Sequence, residues 1–167
     1  MFDDKFGLTK AVLEGRKTMT RRSVPEKLIK AIEGGVPGFA VMESKYKVGE
    51  VVAVAQAYKD TCWTSPVLRL KDKPGWSNKM FVYAGLMPHQ IRITNVRVER
   101  LQDISDEDFL NEGVFLGQFH TYSYVGRPRC PFNTPRDAFA SLIDRISGKG
   151  TWESNPWVFV YEFELVK

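Results

Sequence analysis

The sequence predicts an α+β fold in which helices are inserted around a small curved sheet. Three observations carry this reading. Short strand-like runs are separated by Gly and Pro, and helix-period stretches with start and stop signals lie between them. The clearest strand, Ile91 to Leu101, places apolar residues at Ile91 and Ile93 and then at Val96 and Val98. Its alternation therefore slips by one near Thr94-Asn95. A β-bulge produces such a slip, and bulges help close small barrels.

The elements follow in order. Leu8 to Glu14 reads as a short helix with Leu8, Val12 and Leu13 on one face, ended by Gly15 in a left-handed conformation. A basic, hydroxyl-rich turn follows, Gly15-Arg16-Lys17-Thr18-Met19-Thr20-Arg21-Arg22. Val24 to Glu33 reads as a second helix with Pro25 in its first turn and Leu28, Ile29 and Ile32 on one face. Gly34 to Gly38 is expected to be a loop. Gly49 opens a strand from Glu50 to about Tyr58, with small residues at Ala53, Ala55 and Ala57. From Lys59 to Ser77 the pattern breaks into a long excursion, with a short strand expected at Val67 to Leu70 and another at Lys79 to Tyr83.

Ser105 caps a helix to Glu112, with Asp108 three residues on and Asp106, Glu107 and Asp108 at the positive end of its dipole. Gly113 terminates it. Residues 114–133 are irregular and aromatic, holding Phe115, Phe119, His120, Tyr122, Tyr124 and Phe132. Thr134-Pro135-Arg136-Asp137 starts a helix whose face carries Phe139, Leu142, Ile143 and Ile146. A last strand, Trp157 to Val166, sets Trp157, Phe159, Tyr161, Phe163 and Leu165 on one face.

The chain has 167 residues, which fits one domain spanning residues 1–167 with a sizeable core. Hydrophobic residues make up 43% and charged residues 26%, as in a soluble globular protein, and no apolar run reaches the length of a membrane span. The opening residues lack the layout of a signal peptide, and Cys62 and Cys130 make no disulfide framework. A reduced, cytoplasmic setting is expected. The net charge of +4 mildly favours anionic partners.

The basic turn holds a Gly-x-Lys-x-x-Thr-x-Arg spacing on Gly15, Lys17, Thr20 and Arg22. Lys gives a point charge, Arg a planar fork for phosphate or carboxylate, and Thr a donor and an acceptor. A solvated basic turn is the plain alternative. With this spacing the chain resembles the ASCH domain family, a PUA-like group with bacterial and phage members. The resemblance extends to Tyr46-Lys47-Val48-Gly49-Glu50-Val51-Val52-Ala53-Val54, to Ile91–Ile104 with the acidic helix through Gly113, and to Asn155 to Phe163. It implies a PUA-like small mixed β-barrel with inserted helices, and a cleft that binds RNA or a modified nucleoside. Gly15, Arg16, Lys17, Thr20, Arg21, Arg22 and Gln56 are the expected lining.

Some small members of that family remove the acetyl group from N4-acetylcytidine without a metal. By motif position the resemblance assigns the catalytic Lys, Thr and Glu to Lys17, Thr20 and Glu112. Glu112 equally suits a solvent-facing helix end. Where related phage-type sequences carry a Glu, this chain has Gln56, which weakens any acid–base role there. No metal-ligand spacing, zinc-deaminase signature or phosphate-cradling Gly-rich loop is present, so no cofactor is expected. The aromatics after Gly113 suit base stacking, with Arg127 and Arg129 beside phosphates, or else a satellite core under a long loop. A third reading is a protein-interaction module presenting Trp63, Trp76, Tyr122 and Tyr124.

Overall fold

A computed structural model describes residues 2–61, 65–125 and 131–166. Trp63, Cys62, Arg127, Arg129 and Cys130 lie outside the described residues. The architecture is α+β, built on a curled antiparallel half-barrel sheet. In chain order the elements are α1 (Leu8–Leu13), β1 (Met19–Ser23), α2 (Glu26–Glu33), α3 (Pro37–Met42), β2 (Val51–Ala53), α4 (Ser65–Leu68) and β3 (Gln90–Arg100). There follow α5 (Asp106–Asn111), β4 (Phe115–Leu116), β5 (Tyr122–Ser123), α6 (Pro135–Ser147), α7 (Thr151–Ser154) and β6 (Trp157–Leu165). The main sheet has the order β1-β6-β3-β2, and β4 and β5 form a separate hairpin.

β6 is the strand on which the sheet is built, because it pairs with both β1 and β3. Its residues alternate between two apolar clusters, so the strand is buried on both faces. Phe159, Tyr161 and Phe163 pack with Ile91, Ile93, Val96, Leu28 and Ile32 under α2 and α3. Val158 and Val160 pack on the other side with Leu101, just after β3, and with Phe109, Phe139 and Leu142 of α5 and α6. The expected slip in β3 is present as a register shift between Ile93 and Asn95. It keeps Ile91, Ile93 and Val96 in one cluster despite their uneven spacing.

The caps form as the residues dictate. The Ser105 hydroxyl accepts from the Asp108 N–H at 3.2 Å, and the Thr134 hydroxyl accepts from the Asp137 N–H at 3.1 Å. Five local expectations are corrected. From Met19 on the basic segment is an edge strand, because pairing with β6 satisfies its backbone where its own side chains offer no apolar alternation. Residues 37–42 form α3, where Pro37 opens a helix rather than a loop. The strand expected from Glu50 stops at Ala53. Val67 lies in α4, and residues 79–83 make no strand; Val67 and Val82 instead pack on Tyr58 in a third small cluster.

In the aromatic stretch, Tyr124 is buried, packs edge-on to Phe6, and shares a hydrogen bond with Ser141 at 3.0 Å. Tyr122 and Trp76 are half-buried. That stretch is therefore partly a satellite core, with Phe119 alone strongly exposed at 91% among its aromatics. No helix of the described residues is long and apolar enough to cross a membrane.

Phe109 is fully buried, with its ring 5.4 Å from that of Phe139. Phe109→Ala is expected to lower unfolding stability by about 3–5 kcal/mol. Phe119→Ala is expected to shift it by no more than about 0.5 kcal/mol. Urea denaturation of the two variants measures the contrast, and equal losses would place the core elsewhere.

Candidate functional site

The site grows from β1. Cross-strand partners share a face of a sheet, and neighbours along a strand alternate. Arg21 lies opposite Val160, which lies opposite Arg97; Thr20 lies opposite Tyr161, and Arg22 opposite Phe159. Met19 and Arg21 thus face α5, while Thr20 and Arg22 face the other way, toward α2. One short strand feeds two environments.

On the α5 face the charges are internal. Lys17 is 2% exposed, and its Nζ donates to the Met19 carbonyl (2.7 Å), the Glu112 carbonyl (2.8 Å) and Glu112 Oε2 (2.7 Å). Those contacts use all three donors of an ammonium. Arg21 Nη1 donates to Glu112 Oε1 at 3.0 Å, and its Nη2 donates to Glu99 at 2.6 Å and Asp108 at 2.9 Å. Arg97 extends the network to Asp108 at 2.9 Å, to Glu99 at 3.0 Å and to Glu162.

Gly113 lets this arrangement close. Its φ of 105° suits glycine, and a Cβ there would sit 3.1 Å from Leu8 and 3.7 Å from the Lys17 chain. The turn after α5 can therefore bring the Glu112 carbonyl and carboxylate onto the same ammonium. Burial lowers the pKa of Lys17 below the ordinary lysine range; Glu112 opposes that, while Arg22 and Arg21 reinforce it.

On the opposite face lies a cavity of about 560 Å³, lined by Thr20, Arg22 and Ser23 from β1 and its end, Lys27 and Leu28 from α2, and Lys45 and Tyr46. Phe159, Tyr161, Phe163 and Phe2 give it aromatic walls. Burial raises the pKa of the Tyr161 phenol. A second cavity, of about 520 Å³, is lined by Lys17, Thr20, Arg22 and Glu112 together with Asn78, Lys79 and residues of α6. Phe2, Thr20 and Arg22 line both.

The expected residues therefore separate. Lys17, Thr20, Arg22 and Glu112 meet around the second cavity, and Arg21 also borders it with its donors held by three carboxylates. Gly15, Arg16 and Gln56 line neither cavity. Arg16 is exposed and pairs with Glu14, while Gln56 is buried with its side-chain oxygen unpartnered among the described residues. Sequence reasoning missed Glu99, Arg97, Lys27, Lys45 and Tyr161. A signal existed for Arg97 and Glu99, two charges spaced to share one face of a strand. Among the described residues no group of His, Cys, Asp and Glu gathers to hold a metal.

Removing Glu112 leaves Lys17 without its counter-ion, and Glu112→Gln is expected to cost about 3–5 kcal/mol. Lys17→Met is expected to cost less, because Arg21 still neutralises Glu112. The lowered pKa has a sign of its own. Between the folded-state value and about 10.4 the unfolded chain holds the Lys17 proton that the folded chain has released, so stability rises with pH there. Denaturation of wild type and Lys17→Met from about pH 7 to about pH 10 is expected to favour the wild type progressively. A difference that stays flat or falls overturns the assignment.

No protein-family model and no curated protein matches the chain. Among solved structures, an ASCH domain from Lactobacillus crispatus JV V101 is similar over 99% of this chain and 76% of that one, with a TM-score of 0.47 and 14% identity.

Proposed function

We propose that the chain binds RNA or a modified nucleoside through the cavity beside β1. The observation that carries this is the make-up of that cavity: aromatic walls of Tyr46, Phe159 and Tyr161, a hydroxyl at Thr20, and cations at Arg22, Lys27 and Lys45. A base gains from an aromatic wall in any sequence context, and cations at the rim suit phosphate. A volume near 560 Å³ lies within the range of small-ligand sites. Lys17 and Arg21 serve this reading by holding β1 in place, since their donors are spent on acceptors inside the protein.

A second reading is favoured by one observation, the meeting of Lys17, Thr20 and Glu112 around the second cavity. In an amide hydrolysis the Thr20 oxygen would attack the acetyl carbonyl of N4-acetylcytidine as Lys17, in its neutral form, takes the hydroxyl proton. Glu112 would relay that proton from Lys17 to the departing cytidine amine, and water would then cleave the Thr20 ester, returning a proton to the Thr20 oxygen and releasing acetate. Burial of Lys17 supports the neutral form. The saturation of its three donors by Met19 and Glu112 supports binding instead.

Titrating a single-stranded RNA and N4-acetylcytidine at several salt concentrations distinguishes the readings. Under the binding reading affinity falls with salt, and Arg22→Ala weakens it by roughly tenfold, about the loss of one charge-assisted contact. Under the hydrolytic reading wild type releases acetate from N4-acetylcytidine, and Thr20→Val and Lys17→Ala abolish the release. Absence of binding at low salt together with absence of turnover overturns both.

A further inference from the structure

The excursion after β2 continues the rim of the second cavity. Ser77, Asn78, Lys79 and Met80 line that cavity together with Thr20 and Arg22. Immediately beyond them, Phe81 is 73% and Tyr83 is 67% exposed. Large aromatics at such exposure are uncommon unless something covers them. Phe81 also holds a left-handed backbone, φ 65°, which a residue with a bulky side chain seldom adopts.

The segment is anchored. The Tyr83 N–H donates to the Tyr58 hydroxyl at 2.8 Å, and the Tyr58 N–H donates to the Gly75 carbonyl at 3.0 Å. Gly75 has φ 90°, and a Cβ there would stand 2.7 Å from the Tyr58 ring, so the backbone lies directly on that ring. Lys79 is tied to Asp4 at 2.5 Å and to the Phe2 carbonyl at 3.0 Å. The two exposed rings are therefore presented on a fixed frame, which lowers the entropy lost when a ligand packs on them.

Charge points the same way. Residues 69–83 contain Arg69, Lys71, Lys73 and Lys79 against Asp72 alone, most of the chain's net charge of +4. Arg69, Lys71 and Lys73 are exposed, and among the described residues no carboxylate pairs with them. Exposed aromatics and unpaired cations on one anchored segment are what a single-stranded nucleic acid requires.

We propose that residues 69–83 are a second contact surface for nucleic acid and that the ligand is a single-stranded polynucleotide. One nucleotide enters the cavity region beside Thr20 and Arg22; its neighbours stack on Phe81 and Tyr83, with phosphates near Arg69, Lys71 and Lys73. This rests on the RNA-binding reading above, and the experiment separates the two.

The test is fluorescence anisotropy of a short labelled single-stranded RNA of mixed sequence against the full chain. Wild type is compared with Phe81→Ala/Tyr83→Ala, Lys71→Ala/Lys73→Ala and Arg22→Ala, each checked for an unchanged thermal midpoint. Loss of the two rings is expected to weaken binding roughly ten- to hundredfold. Loss of the two lysines is expected to flatten the salt slope by about 0.7 for each phosphate contact removed. An unlabelled duplex of the same length is expected to compete poorly. If both segment variants bind like wild type while Arg22→Ala is weakened, the second surface is refuted and the cavity reading stands. Loss in the segment variants with Arg22→Ala unaffected would keep the surface and remove the cavity. If wild type binds no RNA at low salt, or duplex competes equally, the inference falls, and in the first case the RNA reading falls with it.

Discussion

The ion pair between Lys17 and Glu112, both nearly inaccessible and 2.7 Å apart, is the constraint on which this structure depends. Withdrawing an ammonium and a carboxylate from water costs several kcal/mol for each ion, and only good geometry with further hydrogen bonds offsets it. Both conditions are met by elements far apart in sequence. The turn before β1 brings Lys17 and β1 brings Arg21, α5 brings Asp108 and its C-terminal cap Glu112, and β3 brings Arg97 and Glu99. The Ser105 cap fixes where α5 starts, and Gly113 fixes how it ends, so the two carboxylates arrive at the right height. Were either end displaced by one residue, a buried cation would lose its partner.

That constraint also explains how a single basic segment does two things. A strand sends successive side chains to opposite faces. Arg21 is therefore committed to the internal network by the same geometry that delivers Thr20 and Arg22 to the cavities. Arginine suits the internal position, because its planar fork reaches Glu99, Asp108 and Glu112 together. Lysine suits the turn before the strand, where three acceptors surround one point charge.

Much of the fold was legible in the sequence where the signal is local. The bulge in β3 appeared as a slipped alternation, the two helix caps as Ser105 and Thr134 with acids three residues on, and the closing strand as a run of alternating aromatics. What escaped was set by distant contacts. β1 has no apolar alternation, and only its pairing with β6 makes it a strand. Lys79 to Tyr83 looks strand-like, yet no strand among the described residues pairs with it and its rings are exposed. In the site, the Lys, Thr, Arg and Glu positions followed from a motif, whereas Arg97 and Glu99 became meaningful only when the sheet set them beside α5. Gln56 was expected in the cleft from the family resemblance, but β2 ends at Ala53 and the chain beyond it turns inward.

The distribution of charge bears directly on function. A count of +4 treats every lysine and arginine as equal, but they differ in what they face. Lys17, Arg21 and Arg97 are matched by Glu99, Asp108, Glu112 and Glu162, so this part of the molecule offers little positive field to a ligand. Among the cations facing solvent, Arg22, Lys27 and Lys45 border the first cavity and Arg69, Lys71 and Lys73 lie on the excursion after β2. Screening in salt shortens the reach of a charge to about 8–10 Å, so under the proposed reading the cations beside an aromatic wall would matter to a nucleotide and the overall sum would not. Of the residues that first mark the chain as basic, Lys17 and Arg21 are thus framework, whereas Arg22 borders the cavities beside lysines that no motif distinguishes.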